Sequence, residues 1–277
     1  MNKIIIIALL SAAISVQNFS QSFESGIVQG TICSLGLNIG VNDFHFRDKY
    51  MTPYIFSGMI FSSGIQFKVS TENNRHIIRL LFSTGGISSD KQNRDVNPYI
   101  GNISYNFIHS IDHLPVFGRP LRFFLGAGIS LFGNYTSFDA NGQTAGSVSY
   151  DDTWYINESL NFCPAVEYVV GRGESITISF TLPVAGFIRR PENGHYFSSK
   201  NQEVIDNKLK VFTGGRLNFF WQNFALLSEA EYIFQVNNKI RLHGNYYFGY
   251  SGSDNPAESL STGMYMNNFL VGADWIL

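Results

Sequence analysis

From Leu121 to Tyr135 the chain alternates without a break. Leu121, Phe123, Leu125, Ala127, Ile129, Leu131, Gly133 and Tyr135 form one set, and Arg122, Phe124, Gly126, Gly128, Ser130, Phe132 and Asn134 the other. Successive side chains of a strand point to opposite faces. The stretch is therefore a strand with one apolar face ending in an aromatic ring and one small, polar or charged face. It runs about fifteen residues, where strands of soluble sheets usually run five or six. A strand this long between two unlike media has few homes, and a wall between lipid and a polar interior is the one that uses its whole length.

The same pattern recurs along the rest of the chain and predicts about ten strands. The first, Thr31–Val41, puts Leu35, Leu37, Ile39 and Val41 outward and Ser34, Gly36, Asn38 and Gly40 inward. The second, Tyr54–Val69, puts Ile55, Met59, Phe61, Ile65 and Phe67 outward; the third, Arg75–Ile87, puts Ile78, Leu80 and Phe82 outward and Arg79 inward. Pro98–Ile108 is the fourth, and the stretch from Leu121 the fifth. The linker Ser110–Pro120 carries Pro115 and Pro120 and is expected to be irregular. A sixth strand has Trp154, Ile156, Leu160 and Phe162 outward, interrupted by Glu158, which is expected near a membrane edge. Strands seven to ten follow around Ile176–Val184, Asn223–Val236, Ile240–Tyr250 and Tyr265–Leu277. The connections between them alternate in length: long at 42–53, 88–97, 138–152, 187–222 and 251–261, and short or medium at 71–74, 110–120, 170–174 and 237–238. Short turns at one end and long loops at the other are the habit of outer-membrane barrels. Ten strands satisfy this, and twelve do if 187–222 holds a further hairpin.

Composition and the N-terminus narrow the class. Lys3 is followed by an uncharged apolar run from Ile4 to Val16 and then by Gln17–Ser22, which reads as a secretory signal peptide over residues 1–20. No later stretch approaches the ~18 consecutive apolar residues of a spanning helix. Only 14% of residues are charged, 15% are aromatic, and the net charge is −2 with no basic run, so nucleic acid is not an expected partner. A chain that spans lipid without apolar helices must close its sheet, because every backbone group in lipid needs a partner. The expected fold is all-β: one closed, antiparallel, up-and-down transmembrane barrel over residues 21–277. A secreted soluble β-sandwich is the architectural alternative, but it would have to cover ten Phe- and Tyr-rich rows.

The chain ends Gly272-Ala273-Asp274-Trp275-Ile276-Leu277. This resembles the C-terminal signal of Gram-negative outer-membrane β-barrels, a glycine followed by an aromatic and a terminal hydrophobic residue. Leu270 and Leu277 depart from it, where that family favours a polar residue and a terminal Phe. The resemblance implies an outer-membrane location, surrounding lipid, and delivery to the barrel-assembly machinery through Gly272, Trp275 and Leu277.

The inward rows carry Lys68, Arg79, Arg122, Lys239 and Arg241 against Glu167, Glu229, Glu231 and Asp274, with His243 among them. Such near-balance reads as a narrow lumen filled by ion pairs, hence a structural or interaction barrel. A narrow conduit for small solutes is the alternative. A rim hydrolase is a third reading. Asp43-Phe44-His45 has the spacing of one acid–histidine pair of the omptin proteases, although Asp151-Asp152 lacks the residue that separates their second acidic pair. A Ser–His lipase site could use His243 on the ninth strand, inward beside Glu229 or Glu231, although a lone lumen histidine is more often a hydrogen-bonded core residue. No Gly-x-Ser-x-Gly elbow or Cys/His cluster is present, so no enzyme activity, cofactor or metal is expected. Cys33 falls on the outer face and Cys163 on the inner, so no disulfide is expected between them. The basic 187–222 loop, with Arg189, Arg190, His195, Tyr196, Lys200, Lys208 and Lys210, is the candidate surface for a partner.

Overall fold

The computed structural model describes residues 30–48, 54–89, 92–138, 153–189, 216–219, 223–255 and 260–277. They form thirteen strand segments: β1 (Ile32–Asp48), β2 (Phe56–Ser70), β3 (Asn74–Thr84), β4 (Ile87–Ser89), β5 (Gln92–Val116), β6 (Arg119–Phe138), β7 (Thr153–Phe162), β8 (Ala165–Gly171), β9 (Glu174–Arg189), β10 (Arg216–Phe219), β11 (Asn223–Gln235), β12 (Ile240–Asn255) and β13 (Leu260–Ile276). There is no helix among the described residues. β3 and β4 share one stave, as do β7 and β8, and β10 and β11 lie along one stave on either side of residues outside those described, so the thirteen segments make ten staves. All neighbours are antiparallel, and β1 pairs with β13 from Ser34↔Ile276 to Asp48↔Thr262, which closes the sheet.

Register fixes the size of the barrel. Cross-strand pairs lead from Leu121 through Tyr168, Ile176, Tyr232, Gly244, Val271, Ile39, Ser63, Phe82 and Gly101 to Gly133, twelve residues further along β6. A stagger of twelve over ten strands gives a tilt of about 40° and a backbone radius of about 10 Å. That interior is narrow and is occupied mainly by side chains.

The turns lie where the sequence places them. Thr71 and Asn74 close the β2–β3 turn through Thr71 N to Asn74 O (2.8 Å) and Asn74 N to Thr71 Oγ1 (3.0 Å). Asn237 Oδ1 accepts from the amides of Lys239 and Ile240, at 2.8 and 2.9 Å, and bends the chain between β11 and β12. Gly173 turns β8 into β9 with φ of 74°. These turns, with the first and last strand ends, define the lower end of the barrel.

The outward rows are as the alternation predicts. Ile39 is 59% exposed, Val271 65% and Ile129 59%, and Leu37, Leu80, Ile103, Leu160, Ile178 and Leu242 are likewise exposed. The rows run round the whole wall and far exceed the apolar patch a soluble monomer tolerates, so this surface is built to face lipid. Aromatic contacts flank it. Tyr99 packs on Tyr135 and Tyr265 on His45 and Phe248 above, and His76 packs on Tyr105 and Phe107 below. Glu158, on the outward row of β7, is clamped by Arg189 through two contacts of 2.7 and 3.1 Å.

Several boundaries differ from the sequence reading. The expected loop at 42–53 is strand as far as Asp48, and 88–97 and 251–261 are largely strand. The linker 110–120 is not irregular: β5 and β6 continue as a hairpin to Val116↔Arg119, with a bulge between Ser110 and Asp112. Phe117 and Gly118 have φ of 50° and 74° and make a two-residue turn of the type that matches strand twist. In such a turn the flanking pair, Val116 and Arg119, is the hydrogen-bonded one. The next pair, Pro115↔Pro120, is therefore a non-hydrogen-bonded pair and loses no bond between the two strands. Of 187–222, Phe187–Arg189 belongs to β9 and β10 pairs with it. Residues 190–215 and 220–222, with the basic side chains of that loop beyond Arg189, lie outside the described residues. So do the expected signal peptide and Asp151-Asp152.

Candidate functional site

The barrel interior is stratified. Phe44 and Phe46 near the upper end of β1 continue the inward parity of Ser34, Asn38 and Asn42. They pack with Phe56, Ile60, Ile87, Val96, Ile100, Tyr155, Ile188 and Met264, all buried and all near the upper ends of their staves. Phe132, Tyr54 and Met266 pack against this cluster. Below it lies a polar band in which Ser62 and Ser83 hydroxyls meet at 2.5 Å and Asn161 Nδ2 donates to Ser130 Oγ at 3.0 Å. The interior is thus apolar at its upper end and polar below it.

The charged layer fills the lower half. Lys68 Nζ meets Glu231 Oε1 at 2.5 Å. Arg79 holds Glu229 in a two-armed pair, Nη1 to Oε2 at 2.8 Å and Nη2 to Oε1 at 2.9 Å, and Ser179 Oγ donates to the same carboxylate at 3.2 Å. Arg79 also sits 5.8 Å from the centre of the buried Tyr247 ring. Arg75 and Arg122 approach one oxygen of Glu167, at 2.6 and 3.7 Å, and Arg75 stacks 4.4 Å over Phe124. Gln66 Nε2 donates to Asp274 Oδ1 at 3.1 Å. His243 Nδ1 is 3.3 Å from the same oxygen but lacks hydrogen-bond alignment, while its Nε2 contacts Asn38 Oδ1. Lys68–Glu231, Arg79–Glu229 and Arg75–Glu167 thus each join strands that are not neighbours in the sheet.

Of the charges read as inward, Lys68, Arg79, Arg122, Glu167, Glu229, Glu231, Arg241 and Asp274 line one cavity of about 870 Å³ at the lower end. His243 is buried beside it. Lys239 instead lies exposed in the turn before β12, because the Asn237 turn ends the inward row one residue later. Gly272 is packed against Asn38, His243 and the Leu37 carbonyl, so a side chain there would collide with the charged layer. Trp275 and Leu277 are exposed on the outer wall. Arg75 escaped the sequence reading because it sits at a turn; its inward parity with Arg79 was the signal. Phe44 and Phe46 escaped it because they fall where a polar loop was expected, whereas Phe56 lies on the inward parity of the expected second strand.

Asp43 and His45 make a pair at 3.1 Å, but on the outward face. His45 packs edge-on against Tyr265, and Asn267 Nδ2 donates to Asp43 Oδ2 at 3.4 Å. The side chain between them, Phe44, is the one that enters the lumen. Cys33 keeps the outward parity yet is buried, Cys163 lines the cavity, and both are free. Among the described residues no group of three or more His, Cys, Asp or Glu is arranged to hold a metal.

No protein-family model and no curated protein matches the chain. Solved structures do. The chain is similar to the outer membrane protease OmpT of Escherichia coli, with 8% identity, a TM-score of 0.51, and 93% of this chain and 99% of that chain covered. It is also similar to the translocator domain of the autotransporter NalP of Neisseria meningitidis, with 10% identity, a TM-score of 0.43, and 99% and 95% covered. For Neisserial surface protein A the values are 12%, 0.38, 90% and 100%. The likeness to OmpT is one of fold. The chain has the closed antiparallel architecture of Gram-negative outer-membrane β-barrels.

Proposed function

We propose that this chain is a sealed outer-membrane barrel, a structural or interaction element and not a channel or an enzyme. The observation that supports this best is the apolar cluster across the upper lumen, Phe44, Phe46, Phe56, Ile100, Tyr155 and Met264, standing above cross-lumen ion pairs. Water and ions would have to cross a dry, close-packed layer. The lipid contact, the use of Gly272, Trp275 and Leu277 as an assembly signal, and a partner at the 187–222 loop belong to the same reading. A passive conduit is the second reading, favoured by the cavity at the lower end. An omptin-like hydrolase would need Asp43 and His45 to face a cleft, and they face outward, where they suit the membrane–water boundary.

Planar-bilayer recording on refolded protein tests the proposal. Protein that inserts and shifts its gel mobility on heating should carry no steady current. The pair of substitutions Phe44→Ala and Phe56→Ala, which removes two rings from the plug, should introduce stepwise current. Steady, salt-dependent conductance of the unaltered barrel would sink the sealed reading in favour of the conduit.

A further inference from the structure

The lower cavity holds more cation than anion. Among the described lining residues, Arg172 and Glu174 at its mouth offset each other, and Lys68, Arg75, Arg79, Arg122 and Arg241 stand with Glu167, Glu229, Glu231 and Asp274. The excess has an address. The cross-strand neighbour of Arg241 is Asp274. That carboxylate is drawn away by Gln66 and His243 on the same oxygen. Among the described residues no carboxylate oxygen lies within ion-pair distance of the Arg241 guanidinium. Nearby, Arg75 and Arg122 share a single oxygen of Glu167, so two guanidinium groups converge on one negative charge. Ile77, Ile108 and Ile233 supply an apolar wall beside them.

A half-buried guanidinium with an unused planar fork, next to two others that share one carboxylate, is an arrangement that selects a carboxylate or phosphate. We infer that this cavity is a receptor site for a small oxyanion that enters from the lower, turn-bearing end of the barrel, with Arg241 as its principal ligand and Arg75 and Arg122 flanking. In the outer membrane that end faces the periplasm. The site rests on the lower lumen alone and stands whether or not the upper lumen conducts.

The test is calorimetric titration of the refolded barrel in detergent at constant ionic strength, with inorganic phosphate in one arm, succinate in a second, and sodium chloride as the reference. Saturable heat with phosphate or succinate is expected, and the arm that saturates says whether phosphate or carboxylate is the preferred chemistry. R241Q should weaken binding about tenfold or more, the loss of a charge-assisted contact. R241K, which keeps the charge and loses the fork, should fall between. K239Q, at the exposed turn next to Arg241, should bind as the unaltered protein does. Heat-shifted gel mobility confirms that each variant is folded. No saturable heat from the unaltered barrel in either arm overturns the inference, as does equal binding by R241Q and K239Q.

Discussion

Arg79 and Glu229 offer the sharpest test of how the lumen is held together. Their side chains are 10% and 5% exposed and joined by two short contacts. Glu229→Gln leaves the Arg79 guanidinium inside the barrel without its carboxylate. Breaking a buried pair by removing one partner costs about 3–5 kcal/mol. Glu231 also faces this layer, though engaged with Lys68, and softens the loss, so about 3 kcal/mol is expected. Arg79→Met strands Glu229 instead, leaving it neutral donors such as Ser179, so a similar loss follows. The double variant, Arg79→Met with Glu229→Leu, removes both charges and fills the space with apolar atoms. Replacements of that kind are often neutral, so the double variant should lie within about 1 kcal/mol of the unaltered barrel. The assay is reversible urea unfolding into and out of lipid vesicles, followed by tryptophan fluorescence and by gel mobility. The signature is strong non-additivity, with two costly single changes and a mild double change. Single variants that each cost under about 1 kcal/mol, the range of solvent-screened pairs, would refute a buried, solvent-shielded pair. So would a double variant that costs the sum of the two.

Two further outcomes follow from backbone geometry. Phe117 sits at φ 50° and is 94% exposed, so Phe117→Asn should raise stability by about 1 kcal/mol, since Asn tolerates the left-handed region of this turn; an unchanged or lower urea midpoint would count against the turn as described. Gly272→Val places a side chain against the Leu37 carbonyl and 2.5 Å or less from His243 Nε2, and should abolish the heat-shifted gel species; a variant that folds like the parent would show that this glycine serves only as part of a recognition signal.

The outer wall was legible because lipid demands the same thing of every stave. Leu35 to Val41 or Leu121 to Tyr135 state their face without help from any other part of the chain. The interior was only partly legible. Parity placed Lys68 and Glu231 in the lumen, but their meeting depends on the twelve-residue stagger, which no local stretch encodes. The plug was hidden by chemistry. Phe44 and Phe46 flank Asp43, His45 and Arg47, and read locally as a polar loop because the outward residues change character above the lipid. Pro115 and Pro120 misled for the opposite reason. Proline breaks a ladder only where an amide is needed, and opposite one another in a non-hydrogen-bonded pair neither is. The lining charges could be read by parity, but that Arg241 has no carboxylate within ion-pair distance among the described residues emerges only from the fold, where Gln66 and His243 approach Asp274.

The seam between β1 and β13 sets the order of events in making this molecule. Ser34 bonds opposite Ile276, so the joint unites residues 242 positions apart. Closing so large a loop is entropically late and slow. Until it closes, β1 and β13 each present a long row of unsatisfied amides and carbonyls, which lipid penalises and another strand would readily occupy. A nascent barrel of this kind has no stable half-built form in the bilayer. Its two edges stay open to other strands until the last one arrives, and a chain that stalls before β13 is a template for pairing with the wrong neighbour.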